Sequence, residues 1–161
     1  MGLSDKTLKK TEAWIASPAA GRCVSIGKVP DPAFSGEIMG KGVAIEPADG
    51  KFYAPADGVV STLFPTFHAI GITTPEGAEI LLHVGIDTVK LNGKHFTAYV
   101  KQNDTVKKGD LILEADLAAI AAGGCQTITP VLVCNTPDFR EVVPVGEKDV
   151  AAGDAVIEIK L

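Results

Sequence analysis

Residues 77–89 read G-A-E-I-L-L-H-V-G-I-D-T-V. Their apolar positions follow the two-residue period of a strand. Ala78, Ile80, Leu82, Val84 and Ile86 make one face, expected in the core. Glu79, Leu81, His83, Gly85 and Asp87 make the other. A polar-bearing face that also holds Leu81 and Gly85 is not an ordinary solvated face. It reads as the floor of a shallow pocket with His83 in its middle. Other short strand-like runs recur, many bounded by proline or glycine: residues 14–17, 23–26, 42–46, 51–54, 59–64, 68–73, 96–100, 128–134, 141–145 and 155–161. Helix is scarce. Residues 29–34 hold Asp31 between two prolines, in a stiff loop or a short helical turn. Asp116 can cap a short helix over 117–122, stopped by Gly123-Gly124. Asn92-Gly93 is a tight-turn signal.

The hairpin before His83 has two possible registers. Thr74-Pro75-Glu76-Gly77 carries type I turn residues. If Pro75 and Glu76 form a two-residue loop, His68 faces His83, and directly opposed residues on one face lie about 5 Å apart. If the loop has three residues with Gly77 in a bulge, the two histidines are expected on opposite faces. Turn chemistry leaves both open.

One internal echo stands out. Residues 106–114 read V-K-K-G-D-L-I-L-E and residues 150–158 read V-A-A-G-D-A-V-I-E. Each looks like a turn closed by Gly-Asp before a strand. Partial duplication of a β architecture and recurrent turn chemistry both account for it.

Composition narrows the class. Of 161 residues, 46% are hydrophobic but only 6% aromatic, so aliphatic side chains must fill the core; 17 Gly and 10 Pro favour many short strands over a helix bundle. The organisation expected is a flexible lead-in over 1–12 and one domain over 13–161. The net charge of −5 has no basic stripe, which argues against nucleic acid. With no apolar run of signal or membrane-spanning length, the expected compartment is cytoplasmic, without membrane insertion. Cys23, Cys125 and Cys134 form no C-x-x-C pair and are expected to be reduced and structural.

A neutral imidazole is a good nucleophile near pH 7, because its reference pKa of about 6.5 leaves one ring nitrogen free. A second imidazole beside it can donate to charge that develops there. That pair can accept a phosphoryl group on nitrogen, a reaction that needs mainly positioning and charge stabilisation.

Residues 77–89 also resemble the active-site signature of the glucose-type IIA component of the bacterial phosphoenolpyruvate-dependent sugar phosphotransferase system: glycine, two variable residues, three aliphatics, His, aliphatic, Gly, aliphatic, any residue, Thr, aliphatic. Every position conforms. The likeness extends to V-P-D-P-A-F-S-G-E-I-M-G-K-G-V-A-I at 29–45, F-P-T-F-H-A-I-G-I at 64–72 and T-P-V-L-V-C-N at 129–135. It implies an all-β fold, an antiparallel β-sandwich and barrel hybrid with a duplicated motif and only short helical turns. It implies that His83 accepts phosphate through Nε2 and that His68 hydrogen-bonds that phosphate. The Nδ1 nitrogens would be held by neighbours, Thr66 for His68 and the Gly85 carbonyl for His83. Asp31 and Asp87 would meet arginines of the phosphocarrier protein HPr, and Phe34, Phe64 and Val89 would form an apolar docking collar. Phosphate would come from phospho-HPr and pass to a cysteine of the IIB domain of a sugar permease, with no cofactor. His68 and His83 could supply half of a zinc site that a partner completes, but cannot close one alone.

Two other classes use related β architecture. A zinc metallopeptidase would take His83 and Asp87 as H-x-x-x-D, but needs an H-x-H pair that His95 does not provide. A biotinyl or lipoyl carrier shares the A-P-x-D-G-x-V and V-x-x-G-D turns, but Lys41 and Lys94 lack its Met-Lys-Met or Asp-Lys-Ala setting.

Overall fold

The computed structural model describes residues 10–161, so residues 1–9 of the expected lead-in lie outside the described residues. In chain order the strands are β1 (Glu12–Ala16), β2 (Gly21–Ser25), β3 (Lys41–Pro47), β4 (Lys51–Tyr53), β5 (Gly58–Leu63), β6 (Ala69–Thr73) and β7 (Glu79–His83). After them come β8 (Phe96–Ala98), β9 (Thr105–Val106), β10 (Leu111–Ala115), β11 (Thr129–Val133), β12 (Glu141–Pro144), β13 (Lys148–Val150) and β14 (Ala155–Lys160). Among the described residues two short α-helices accompany them, α1 (Pro32–Ser35) and α2 (Leu117–Ala122). All pairings are antiparallel. Eight strands form one sheet in the order β13-β2-β3-β11-β7-β6-β5-β9, flanked by the three-stranded sheets β1-β14-β12 and β4-β10-β8. This is the all-β class expected.

One face of the large sheet is covered by the flanking sheets; the other is covered over β2, β3, β11 and β7 but open towards β5, where Val59 and Ser61 are exposed. One face sends Val43, Ile45, Ile70, Ile72, Ile80, Leu82, Val131 and Val133 into the main core with the flanking sheets. Fully burying each such side chain stabilises by roughly 1.5–3 kcal/mol. The other face carries Ala44, Ala69, Leu81 and Leu132, which pack with Ile26, Val29 and Phe34. These last residues come from the segment over 26–35, and its sequence explains the helix. Asp31 accepts a hydrogen bond from Ala33 N (3.0 Å) as N-cap, and Pro32 opens the first turn. His83 lies on this second face, beyond Leu81.

The alternation read for 77–89 holds through Val84 and then fails. Gly85 has φ +75° and Asp87 φ +63°. The backbone leaves the strand there, and Ile86 joins the second cluster with Leu81, not the main core. The hairpin takes the three-residue loop. Gly77 is left-handed (φ +89°), Gly77 N donates to Thr74 O (2.9 Å) and Thr74 N donates to Ala78 O (2.9 Å). Ala69 therefore faces His83, not His68, and the two-residue register is overturned.

The echo has a structural counterpart. Gly109 N donates to Ala54 O, and Gly153 N donates to Ser17 O, both at 2.9 Å. Ala54 N and Ser17 N return bonds to Asp110 O (2.8 Å) and Asp154 O (2.6 Å). The two proline turns then clasp each other: Ala16 N donates to Pro55 O and Tyr53 N to Pro18 O, each at 2.8 Å. Such reciprocity is what an approximate dyad produces, and it favours duplication over coincidence. A third, divergent copy reads V-K-Q-N-D at 100–104, with Asn103 at φ +76° donating to Val60 O (2.7 Å).

The ends of the described chain lie together. Glu12 faces Lys160 across β1 and β14, and Leu161 N donates to Thr11 O (3.0 Å). Lys10 pairs with Glu76 at the tip of the β6–β7 hairpin (2.5 Å).

Candidate active site

His83 is the last residue of β7, and His68 ends the loop that enters β6. Although the register pairs His68 with Val84, whose N–H donates to His68 O (2.7 Å), the two rings meet. Their centroids are 4.9 Å apart and their planes 82° from parallel. The reason is local. The chain turns between Phe64 and Ala69, with Phe67 N donating to Phe64 O (2.8 Å) and Phe67 itself at φ +58°. Strand alternation has not begun at His68, so the facing rule for opposed residues does not govern its ring. The expected imidazole pair exists, by a route other than the expected one.

Each ring has a polar partner at Nδ1. His83 Nδ1 lies 2.7 Å from Gly85 O. A carbonyl only accepts, so Nδ1 carries the proton and Nε2 keeps its lone pair. His68 Nδ1 lies 2.6 Å from Thr66 Oγ1, a group that can donate or accept. Aromatic rings back both: Phe34 stands 5.0 Å from His83 and Phe64 5.5 Å from His68, centroid to centroid.

Electrostatics favour neutral rings. Burial, helped by the neighbouring His83, pushes His68 down to about 4. Burial also pushes His83 below the ordinary histidine value, opposed by the Gly85 hydrogen bond and by the Asp31 and Asp87 carboxylates. Both rings are therefore uncharged at pH 7, the state in which Nε2 of His83 is a nucleophile. Asp31 is half-buried; Asp87 is exposed, with only Lys90 Nζ at 4.0 Å.

The expected apolar residues divide into two kinds. Phe34 is buried beneath His83, whereas Phe64 (38% exposed) and Val89 (51%) offer surface. Ile38 (78%) and Met39 (39%), on the loop after α1, add apolar surface that sequence reading did not single out. Their signal was present: two large apolar residues between polar or glycine neighbours, where no strand was expected. His95 lies apart on the loop before β8. Among the described residues, no group of three or more His, Cys, Asp or Glu side chains is placed to hold a metal ion. Likewise, no helix among them is long and apolar enough to cross a membrane.

Comparison with known proteins supplies the context. A model of the phosphoenolpyruvate-dependent sugar phosphotransferase system EIIA 1 family matches residues 13–139. The chain is 41% identical over 149 residues to the glucose-specific EIIA component of Oceanobacillus iheyensis, covering 92% of this chain and 90% of that protein. It is 44% identical over 145 residues to the β-glucoside-specific EIIBCA component of Halalkalibacterium halodurans, covering 90% of this chain but only 23% of that longer protein. Among solved structures it is similar to glucose permease IIA from Mycoplasma capricolum, with a TM-score of 0.87, 34% identity, and coverage of 92% of this chain and 96% of that one.

Proposed function

The chain belongs to the EIIA 1 family of the phosphoenolpyruvate-dependent sugar phosphotransferase system, and from that premise we propose that it is a phosphoryl carrier for sugar uptake with His83 as the phosphorylated residue. The observation that carries the assignment is the 2.7 Å contact from His83 Nδ1 to the Gly85 carbonyl, beside a second imidazole 4.9 Å away. Pinning the proton on Nδ1 frees Nε2 for attack. In the accepting step the Nε2 lone pair forms an N–P bond as the N–P bond of phospho-HPr breaks, and the HPr imidazole leaves. In the donating step the N–P bond on His83 breaks as a cysteine thiolate of a permease IIB domain takes the phosphoryl group. No cofactor enters either step.

His68 stabilises charge on the phosphoryl oxygens. In this reading the Thr66 hydroxyl donates to His68 Nδ1, which keeps a proton on Nε2 to donate to phosphate. Asp31 and Asp87 attract arginines of HPr. Phe64 and Val89 give partners an apolar surface, with Phe34 supporting His83 from below and Ile38 and Met39 offering further exposed apolar surface after α1. Such a shallow, rimmed face suits macromolecular partners that must dock and leave. Residues 13–161 act as one phosphotransfer domain in the cytoplasm.

The test is incubation with phosphoenolpyruvate, the first phosphotransferase enzyme and HPr. One acid-labile, alkali-stable phosphate is expected. His83→Ala abolishes it; His68→Ala still accepts phosphate but passes it on poorly. Phosphate on another residue would defeat the assignment.

A further inference from the structure

Thr88 lies five residues after His83 in the chain and is fully buried. Its Oγ1 donates to Val84 O at 2.6 Å, closing a ring around Gly85, Ile86 and Asp87. Ile86 N donates to Gln126 O at 3.0 Å from the far side. Gly85 is held between these two braces. A Cβ built on it would lie 2.6 Å from Thr88 Cγ2 and 2.7 Å from the Gln126 carbonyl oxygen, and its φ of +75° already disfavours a side chain. The carbonyl that meets His83 Nδ1 belongs to this same glycine. A helical reading offers no other reason for the hydroxyl: Thr88 begins only a four-residue 3-10 turn, and Asp87 before it makes no side-chain cap.

We propose that Thr88 is a positioning residue for phosphoryl transfer: by clamping Val84 O it aims the Gly85 carbonyl at His83 Nδ1 and so selects the Nε2-nucleophilic tautomer. This rests on the reading of His83 as phosphoacceptor. Without the clamp the 84–88 turn can rotate its peptide planes, and a rotation at Gly85 withdraws the acceptor that holds Nδ1. The proton is then free to move to Nε2, where it blocks attack. The methyl and the hydroxyl do different work. Cγ2 fills the space beside Gly85; Oγ1 sets the turn.

Three variants separate them. Thr88→Val keeps the shape and removes the hydroxyl. Thr88→Ala removes both, and Thr88→Ser keeps the hydroxyl. Ring 15N shifts of His83 at neutral pH report which nitrogen is protonated. Expected is a single Nδ1–H tautomer in the parent and in Thr88→Ser, a mixture in Thr88→Val and Thr88→Ala, and a phosphoryl acceptance rate lower by about tenfold in those two. If the valine variant does not fold, the alanine and serine variants carry the same contrast. Either hydroxyl-free variant retaining the Nδ1–H tautomer overturns the proposal, even if it is slow, because the loss would then run by another route. The tautomer is read without phosphate. It therefore decides this inference independently of where phosphate lands, which decides the carrier reading.

Discussion

His68 makes acid stability a direct probe of the site. Its ring is held at about 4, against an ordinary 6.5, by burial first and the neighbouring His83 second. Between those values the unfolded chain binds a proton that the folded chain does not. The folded state therefore keeps its full advantage above about pH 6.5 and loses it as pH falls towards 4. At about 1.4 kcal/mol per pKa unit, the whole window is worth on the order of 3 kcal/mol, and about 2.5 kcal/mol has gone by about pH 4.5. That is a large share of a stability of roughly 5–15 kcal/mol. Carboxylates begin to titrate at the low end, so the measurement is a difference. Urea unfolding of the parent and of His68→Gln, taken from about pH 7 to about pH 4.5, isolates the ring. The parent should lose about 2.5 kcal/mol more than the variant over this range. Parallel pH profiles, or an NMR titration of the His68 ring with a midpoint near the ordinary value, would refute the reasoning.

Other outcomes follow from named contacts. Gly85→Ala must take a left-handed φ and push against Thr88 and the Gln126 carbonyl, so it should cost about 1–3 kcal/mol in urea unfolding and slow phosphate uptake measured with phospho-HPr. Gly109→Ala and Gly153→Ala meet no atom within 4 Å of the new Cβ and share φ values of +93° and +97°. Each should cost only the left-handed penalty of about 1–2 kcal/mol, with matched and additive losses; unequal values would break the equivalence of the two turns. Thr66→Val removes the partner of His68 Nδ1. It should leave phosphate acceptance largely intact while slowing onward transfer to a IIB domain by about tenfold, and slowing of the first step alone would contradict this. Phe64→Ala and Val89→Ala should both raise KM for partner proteins; Val89→Ala should shift unfolding free energy by no more than about 0.5 kcal/mol, whereas Phe64→Ala, which strips a part-buried ring from His68, should cost about 1–2 kcal/mol.

Much of this was legible in the chain. The two-residue period sorted Ile80, Leu82 and Val84 from Leu81 and His83, because the two faces of β7 meet different apolar clusters and each demands its own apolar set. Asp116 announced the start of α2 through its short acceptor side chain, and the two prolines around Asp31 left a stiff loop or a helical turn, of which the structure takes the turn with Asp31 as its N-cap. What escaped was backbone sign. The hairpin register turned on Gly77 adopting φ +89°, and the β7 alternation failed at Gly85 for the same kind of reason. The ring of His68 points towards His83 because of a turn whose key residue, Phe67, is left-handed without being glycine. No local composition signals that conformation; the surrounding contacts impose it. Thr88 was visible only as a signature position, since its hydrogen bond closes a turn that an extended strand would not contain. The paired turns were visible as strings, but their reciprocity depends on contacts between residues far apart in sequence.

Because the first and last strands pair with each other and Lys10 reaches Glu76, both ends of the folded unit leave from the tip of the β6–β7 hairpin. His83 stands at the opposite end of β7 from that hairpin, about 13 Å along the strand from Glu79. Any neighbour joined covalently at either end would therefore act as a leash fixed behind the unit. On the proposed carrier function, such a leash would begin away from the imidazole pair and leave that face to a donor and an acceptor in turn.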